Sequence, residues 1–326
     1  DMENNPGPFP VFSSQTTDNG TFGYLGSYDF DGEYVTWTTD GANAGTAFYR
    51  NGKFNCTNVC GTLKAKDKNI NMKYLKLALN NVAYKHVIQV GTPKLMNNVV
   101  AKIKIPLPPL EIQEQIVTEL DIYQNLITGA KQIVDNWKPT VKVNTEWSET
   151  NLKEICEMLN GAAHEGVIKE KGQYIVVNSK FVSSEGSKYK KSDKNLFPLH
   201  VGDVVMVMSD VPNGKTLGKC YYIDKENKYT LNQRVCVFRS SNYDQKFLYY
   251  FLKRNDYFLS FDNHQSQTNL RKEEVLGCPI PVISLEVQKQ IVEEIESERT
   301  LVEGNKKLIE IYEQKTKDTL AKLWEK

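Results

Sequence analysis

Two stretches decide the reading of this chain: residues 105–134, IPLPPLEIQEQIVTELDIYQNLITGAKQIV, and residues 280–309, IPVISLEVQKQIVEEIESERTLVEGNKKLI. They align without a gap at a constant offset of 175 positions. Ile105 matches Ile280, Pro106 matches Pro281, Gln113 and Gln115 match Gln288 and Gln290, and Gly129 matches Gly304. A register held this long is an internal repeat, and a repeat constrains architecture before any single residue is interpreted.

Within the first copy, apolar residues fall at Leu110, Val117, Leu120, Tyr123, Ile127, Ala130, Val134 and Trp137, in steps of three and four with one heptad gap at Gln113. That spacing predicts a helix with a coiled-coil seam. Pro106, Pro108 and Pro109 precede it, where missing backbone donors cost nothing, and Pro139 closes it. The second helix starts near Ser284, an N-cap residue, and runs through Ile291, Ile295, Val302, Ile309 and Tyr312 toward Leu323 and Trp324. At about 1.5 Å per residue the spans are roughly 40 and 60 Å. Neither stripe can be buried alone, so the two are expected to pack on each other, antiparallel, with a globule at each end. Glu298 and Asn305 stand where the first seam has Tyr123 and Ala130, which points to an asymmetric contact or a second partner.

Upstream of each helix lies a segment of strand-like alternation punctuated by Gly, Asn and Asp. Gly32-Glu33-Tyr34-Val35 echoes Gly202-Asp203-Val204-Val205, and Thr39-Asp40 echoes Ser209-Asp210. The expected fold is α+β: two mostly-β domains, 1–109 and 139–283, joined by two long helices, 110–138 and 284–326, forming an antiparallel coiled coil. Gly172 to Val177 resembles Gly7 to Phe12, but the second domain opens earlier, with Trp147 to Gly166. The first domain therefore lacks the counterpart of about a strand and a helix, and the chain is expected to begin inside a domain.

Composition is that of a folded protein, with 40% apolar and 25% charged residues. The 41 Lys and Arg against 40 Asp and Glu leave any basic surface local. No apolar run approaches the roughly 18 residues of a membrane span, and no leader pattern opens the chain, so a cytoplasmic location is expected. The six cysteines are scattered and read as reduced thiols. Cys56 and Cys60 have a spacing usable by a metal, but no second Cys/His pair follows, and no metal site is expected.

Catalytic apparatus is missing from the sequence. An adenine methyltransferase needs an Asn/Asp-Pro-Pro-aromatic motif and a Gly-rich turn for its methyl donor; Asn4-Asn5-Pro6-Gly7 and Gly41 to Gly45 supply neither. Gly214-Lys215-Thr216 carries only the last three letters of a P-loop. His86, His164, His200 and His264 lie far apart with no nucleophile elbow, and read as structural or DNA-facing.

What the domains offer is polar turns carrying groups that hydrogen-bond base edges or meet phosphates. In the first domain these are Thr38, Thr39 and Asn43; Lys53, Asn55 and Asn58; and Lys85 and His86. In the second they are Ser184, Lys188, Tyr189, Lys190 and Lys191; Asn213 and Lys215; Asn232, Gln233 and Arg234; and His264, Gln265, Gln267, Asn269 and Arg271. For any one of these a plain solvated-loop role is the commoner one, and the reading rests on the pattern across loops. Lysines interleaved with Tyr189 suit phosphate contact, and the amide-rich run from His264 suits base reading.

The combination resembles the specificity subunits of Type I restriction-modification systems, and the equivalent recognition halves of fused restriction-methylation enzymes. The resemblance rests on Ile105 to Gln113 entering a long helix and its repeat at Ile280 to Gln288, on Leu152-Lys153-Glu154-Ile155-Cys156-Glu157 opening a domain, and on Tyr34 to Gly45 as a recognition-domain strand and turn. It covers essentially the whole chain. It implies two target-recognition domains that each read half of a split double-stranded DNA site, with the helices setting the gap. It also implies a docked DNA adenine methyltransferase, with a restriction or translocase subunit as a further partner. The cofactor S-adenosylmethionine then belongs to the methyltransferase, and this chain holds none and is no enzyme by itself. The alternatives are the carboxy-terminal recognition region of a single-chain enzyme and a coiled-coil protein-binding adaptor.

Overall fold

The computed structural model describes residues 2–210, 215–262, 264 and 267–324. The chain divides into two compact units, one running up to Asn136 and resuming at Glu303, the other spanning Trp137–Val302.

The first unit opens with strands β1 (Phe9–Phe12), β2 (Thr21–Leu25), β3 (Glu33–Thr38), β4 (Ala47–Asn51), β5 (Asn55–Cys56) and β6 (Cys60–Leu63). They form two three-stranded sheets, ordered β2-β1-β5 and β4-β3-β6, in which only the β1–β5 pairing is parallel. Helices α1 (Met72–Val82), α2 (Asn97–Val100) and α3 (Leu110–Asn136) follow. Trp37 anchors this unit: its ring lies flat over Gly61, where a Cβ would come within 2.2 Å of the indole, and its Nε1 donates to Leu95 O at 3.0 Å. Only glycine permits that approach.

The second unit contains β7 (Glu149–Asn151), β8 (Glu157–Asn160), β9 (Tyr174–Val177), α4 (Ser179–Ser183), β10 (Lys190–Ser192), β11 (Val204–Val207), β12 (Ser209–Asp210), β13 (Cys220–Tyr222), β14 (Tyr229–Leu231) and β15 (Val235–Arg239). Then come α5 (Gln245–Leu252), α6 (Asp256–Leu259), β16 (Thr268–Asn269), α7 (Lys272–Leu276), β17 (Pro279–Pro281) and α8 (Leu285–Lys322). The β-branched runs of β9, β11 and β15 read as continuous apolar strands because both faces are covered. Fully burying each such side chain is worth about 1.5–3 kcal/mol.

The two units repeat one topology. Sheet β10-β9-β14 reproduces β2-β1-β5, including the parallel pair, and β13-β11-β15 reproduces β4-β3-β6. The second unit adds β8 on the outer edge of β15 and β7 against β17. Among the described residues nothing pairs with the outer edge of β6 or with residues 104–106, the counterpart of β17. Leu248, Cys278 and Ile280 are fully buried, whereas their counterparts Leu75, Ile103 and Ile105 are partly exposed.

The repeated glutamine has a physical reason that the seam reading misses. Gln113 and Gln288 are each 1% exposed. Gln113 Oε1 accepts from the Asn71 backbone N–H at 2.9 Å, and its Nε2 donates to Asn69 O (3.0 Å) and Pro108 O (2.8 Å). Gln288 Oε1 accepts from the Asp244 N–H at 2.8 Å, and its Nε2 donates to Ile283 O at 3.0 Å. Asn71 and Asp244 are the N-caps of α1 and α5. In both units the long helix is thus tied by one buried amide to the start of a domain helix. The heptad gap at Gln113 is a joint to the domain rather than a pause in the seam.

The helices run antiparallel where the first unit unites them: Glu119 lies by Thr319 (3.5 Å) and Tyr123 by Tyr312 (ring centroids 5.1 Å apart), with a Lys131–Glu313 ion pair at 2.8 Å. In the second unit the polar seam residue Glu298 accepts from Trp137 Nε1 at 2.9 Å. No helix among the described residues is long and apolar enough to cross a membrane.

Candidate nucleic-acid interface

In the first unit three polar loops meet at one end of β3, because backbone hydrogen bonds tie them together. The turn 39–46 between β3 and β4 is closed by Gly45 N–H donating to Thr38 O at 2.8 Å, with Gly41 and Gly45 both at φ +92°. Thr39 N–H donates to Val59 O (3.1 Å), drawing in the β5–β6 turn that carries Asn58. Leu95 N–H donates to Thr39 O (2.8 Å) and Gly41 N–H to Pro93 O (3.0 Å), drawing in loop 83–95 with Lys85 and His86. An Asp40–Lys94 ion pair at 3.1 Å crosses the same junction, and the Thr39 hydroxyl followed by Lys94 holds the Asp40 carboxyl below its ordinary range. Asn43 Nδ2 donates to Thr16 Oγ1 (3.2 Å), adding the loop before β2.

The second unit builds the same end. Leu270 N–H donates to Met208 O at 2.8 Å, and β12 pairs β16 with Ser209 opposite Asn269, so the segment after β11 lies beside Gln267, Asn269 and Arg271. Val207 pairs Val235, which sets the Asn232–Gln233–Arg234 turn alongside. Lys219 Nζ donates to Ser183 O at 3.3 Å, bringing up the loop that leads through Lys188 and Tyr189 to β10.

A family model for the type I restriction modification DNA specificity domain matches residues 1–135 and 144–311, once for each repeat of this topology. The chain belongs to that family. In Mycoplasma pneumoniae, the specificity subunit of the type I restriction enzyme MpnII is 48% identical over 126 residues, covering 38% of this chain and 38% of that protein. The N-terminal part of another type I specificity subunit of that organism is 50% identical over 123 residues, 37% of this chain and 66% of that sequence. The chain spans 31% to 66% of the length of the curated relatives it matches. A crystal structure of a type I restriction-modification S subunit from M. genitalium superposes with a TM-score of 0.56, covering 99% of this chain and 90% of that one at 14% identity. The HsdS subunit of Thermoanaerobacter tengcongensis gives 0.51, with 99% and 92% coverage at 14% identity. The shared fold is two recognition domains with long helices.

Within these specificity domains the sequence-named residues separate into exposed and interior groups. Asn43, Asn58, Lys85, His86, Lys188, Tyr189, Lys190, Lys215, Gln233, Arg234, His264, Gln267, Asn269 and Arg271 are exposed at the loop ends. Thr38 and Thr39 are buried: the Thr38 hydroxyl donates to Asn43 O, and the Thr39 hydroxyl to Asp40 Oδ2 at 2.7 Å. Asn55 is buried too, accepting from Asp29 N–H (3.0 Å) and donating to Ser27 O (2.8 Å). Ser184 Oγ accepts from Lys188 N–H at 3.0 Å, and Asn232 Oδ1 from Arg234 N–H at 3.3 Å. These five side chains shape the turns that present their neighbours. Lys191 is partly buried on β10. Lys53 sits at the far end of β4 from the gathered loops, its ammonium 4.4 Å over the Tyr28 ring. Asn213 and Gln265 lie outside the described residues.

Sequence reasoning passed over Phe22, 59% exposed and the unpaired residue of a bulge where β2 leaves register with β1. It precedes Gly23 as Tyr189 precedes Lys190, and Gly23 and Lys190 pair with corresponding residues, Val11 of β1 and Val176 of β9, a correspondence visible only once the strands are paired. His164 is interior, its ring between Ala162 O (2.7 Å) and Thr230 Oγ1 (2.9 Å). Among the described residues no group of three or more His, Cys, Asp or Glu could hold a metal ion.

Proposed function

We propose that this chain is the DNA sequence-specificity component of a type I restriction-modification system. Each unit reads one half of a bipartite double-stranded site through the loops gathered at the end of its central sheet. The observation that carries this reading is the double match of a DNA-specificity family model, one match for each unit that assembles the same loop cluster. The loop residues have the right chemistry: amides at Asn58, Gln233, Gln267 and Asn269 for base edges, and cations at Lys85, Lys188, Lys190, Arg234 and Arg271 for phosphates and guanine. The long helices set the spacing between half-sites and dock an adenine methyltransferase, which contributes S-adenosylmethionine and catalysis; a restriction or translocase subunit joins the same assembly in the cytoplasm. A net charge of +1 means that the partner adds much of the phosphate affinity.

The test is methylation of a random DNA library by the chain reconstituted with its methyltransferase. Two short conserved half-sites at a fixed separation are expected, and the double variant Gln267→Ala, Asn269→Ala should relax only one of them. Methylation without sequence preference would refute the reading and favour a protein-binding adaptor. Equal loss at both half-sites would remove those two residues from base reading.

A further inference from the structure

Cys56 and Cys60 flank the turn that carries Asn58, and their Sγ atoms are 3.4 Å apart, in contact. The turn is held from both sides. Cys56 is paired with Phe12 of β1 and Cys60 with Thr38 of β3, while Cys60 N–H donates to Thr57 O at 3.1 Å. Neither sulfur can be carried away without breaking strand pairing. Cys56 and Cys60 are each partly exposed, as is Cys156, which lies instead beside the Ser240 hydroxyl, whereas Cys220, Cys236 and Cys278 are buried.

Beside the pair stands Arg50, 4% exposed, its guanidinium stacked 3.4 Å from the Phe12 ring centroid and its Nε donating to Thr36 Oγ1 at 3.0 Å. Its Nη1 is buried with no hydrogen-bond partner among the described residues. A buried cation with an unsatisfied donor favours an anion next to it. The Cys56 thiol, and after it Arg50 and the Thr36 hydroxyl, draw the Cys60 thiol below its ordinary range against the opposing effect of burial. Hydrogen bonding to Cys60, then burial, pushes Cys56 up. The two sulfurs thus differ, Cys60 being the readier of the two to attack and Cys56 standing in contact to resolve.

We propose that Cys56 and Cys60 are a reactive dithiol that a low-molecular-weight disulfide converts to an intramolecular disulfide, locking the Asn58 turn of the first recognition domain. The Cys60 thiolate attacks one sulfur of the oxidant R–S–S–R, forming Cys60–S–S–R and releasing R–S⁻. Cys56 gives up its proton to that thiolate and attacks Cys60 Sγ, closing the protein disulfide and releasing a second R–S⁻, which takes a proton from water. One external disulfide is reduced to two thiols and two protein thiols are oxidised. The sulfurs need approach by only about 1.4 Å to reach a bonding distance of about 2.05 Å. The site is independent of whether the loop cluster reads DNA.

The experiment treats the native 326-residue chain with glutathione disulfide, followed by intact-mass measurement, a thiol count in denaturant and peptide mapping. The expected result is a loss of two hydrogens, about 2 Da, a thiol count lower by two, and a cross-link joining Cys56 to Cys60 that dithiothreitol reverses. The Cys56→Ser chain should instead keep a glutathione adduct at Cys60, and the Cys60→Ser chain should stay unreacted at Cys56. A persistent adduct on the wild-type chain, modification falling equally on Cys156, or no reaction would each overturn the proposal. The wild-type result decides even where a serine variant folds poorly.

Discussion

Replacing Gln113 by alanine removes the buried joint between α3 and the first domain, and its cost follows from three hydrogen bonds. The Asn71 N–H loses its acceptor, and Asn69 O and Pro108 O lose their shared donor. With the side chain only 1% exposed, water does not replace those partners without opening the interface. An orphaned buried amide costs about 1–3 kcal/mol, and two weakened carbonyls bring the total to about 2–4 kcal/mol. The α1 N-cap itself survives, because Asn71 Oδ1 still accepts from Lys73 N–H (2.9 Å) and Tyr74 N–H (3.1 Å). The damage should therefore be local to the contact of α1 with α3. Hydrogen exchange followed by mass spectrometry gives the assay: peptides covering 69–75 should exchange faster by a factor of about 30 or more, at about 1.4 kcal/mol per tenfold. Peptides covering 242–248, protected by the intact Gln288 joint, serve as the internal control. Gln113→Glu should not rescue, since a carboxylate keeps the acceptor role but faces two carbonyl oxygens. Unchanged exchange at 69–75, or equal acceleration at both joints, would refute the reasoning.

Gly61→Ala places a methyl inside the Trp37 ring and should destabilise the first unit by about 3 kcal/mol, read as a lowered melting transition. His164→Ala removes the contacts with Ala162 O and Thr230 Oγ1 and should cost the second unit about 2–4 kcal/mol in denaturant melts, with His164→Gln recovering part of it. Partial burial pushes the Glu296 carboxyl up, but the Tyr250 hydroxyl (2.7 Å) and Lys246 ammonium (3.0 Å) more than reverse this, leaving it below 4.5. A carboxyl depressed in the folded state contributes stability that is present above its unfolded value and lost as pH falls through its folded value. The stability difference between wild type and Glu296→Gln should thus be full at about pH 6 and close below about pH 4.5. Lys188→Ala with Lys190→Ala should weaken DNA binding of the reconstituted complex without changing the target, and lower the slope of log affinity against log salt by about 0.9 per lost phosphate contact.

The sequence alone determined the architecture of this protein. A seam of three-and-four spacing, prolines before each helix and a constant register between Ile105 and Ile280 are local or periodic properties, and periodicity survives without coordinates. Tertiary structure alone decided what individual polar residues do. Gln113 looked like a gap in a seam because the groups it satisfies at Asn69 and Asn71 lie more than forty positions away. Thr38, Thr39 and Asn55 matched the composition of a recognition loop, yet their side chains face inward, since a turn needs its own hydrogen bonds satisfied before it can present its neighbours. Lys53 parts from the other candidates because β4 carries it to the opposite end of the sheet, and Cys56 gains a partner because two strands pin both ends of one turn. Hydrogen-bond satisfaction and burial belong to the folded chain as a whole, and so the residues that bear on function are sorted only there.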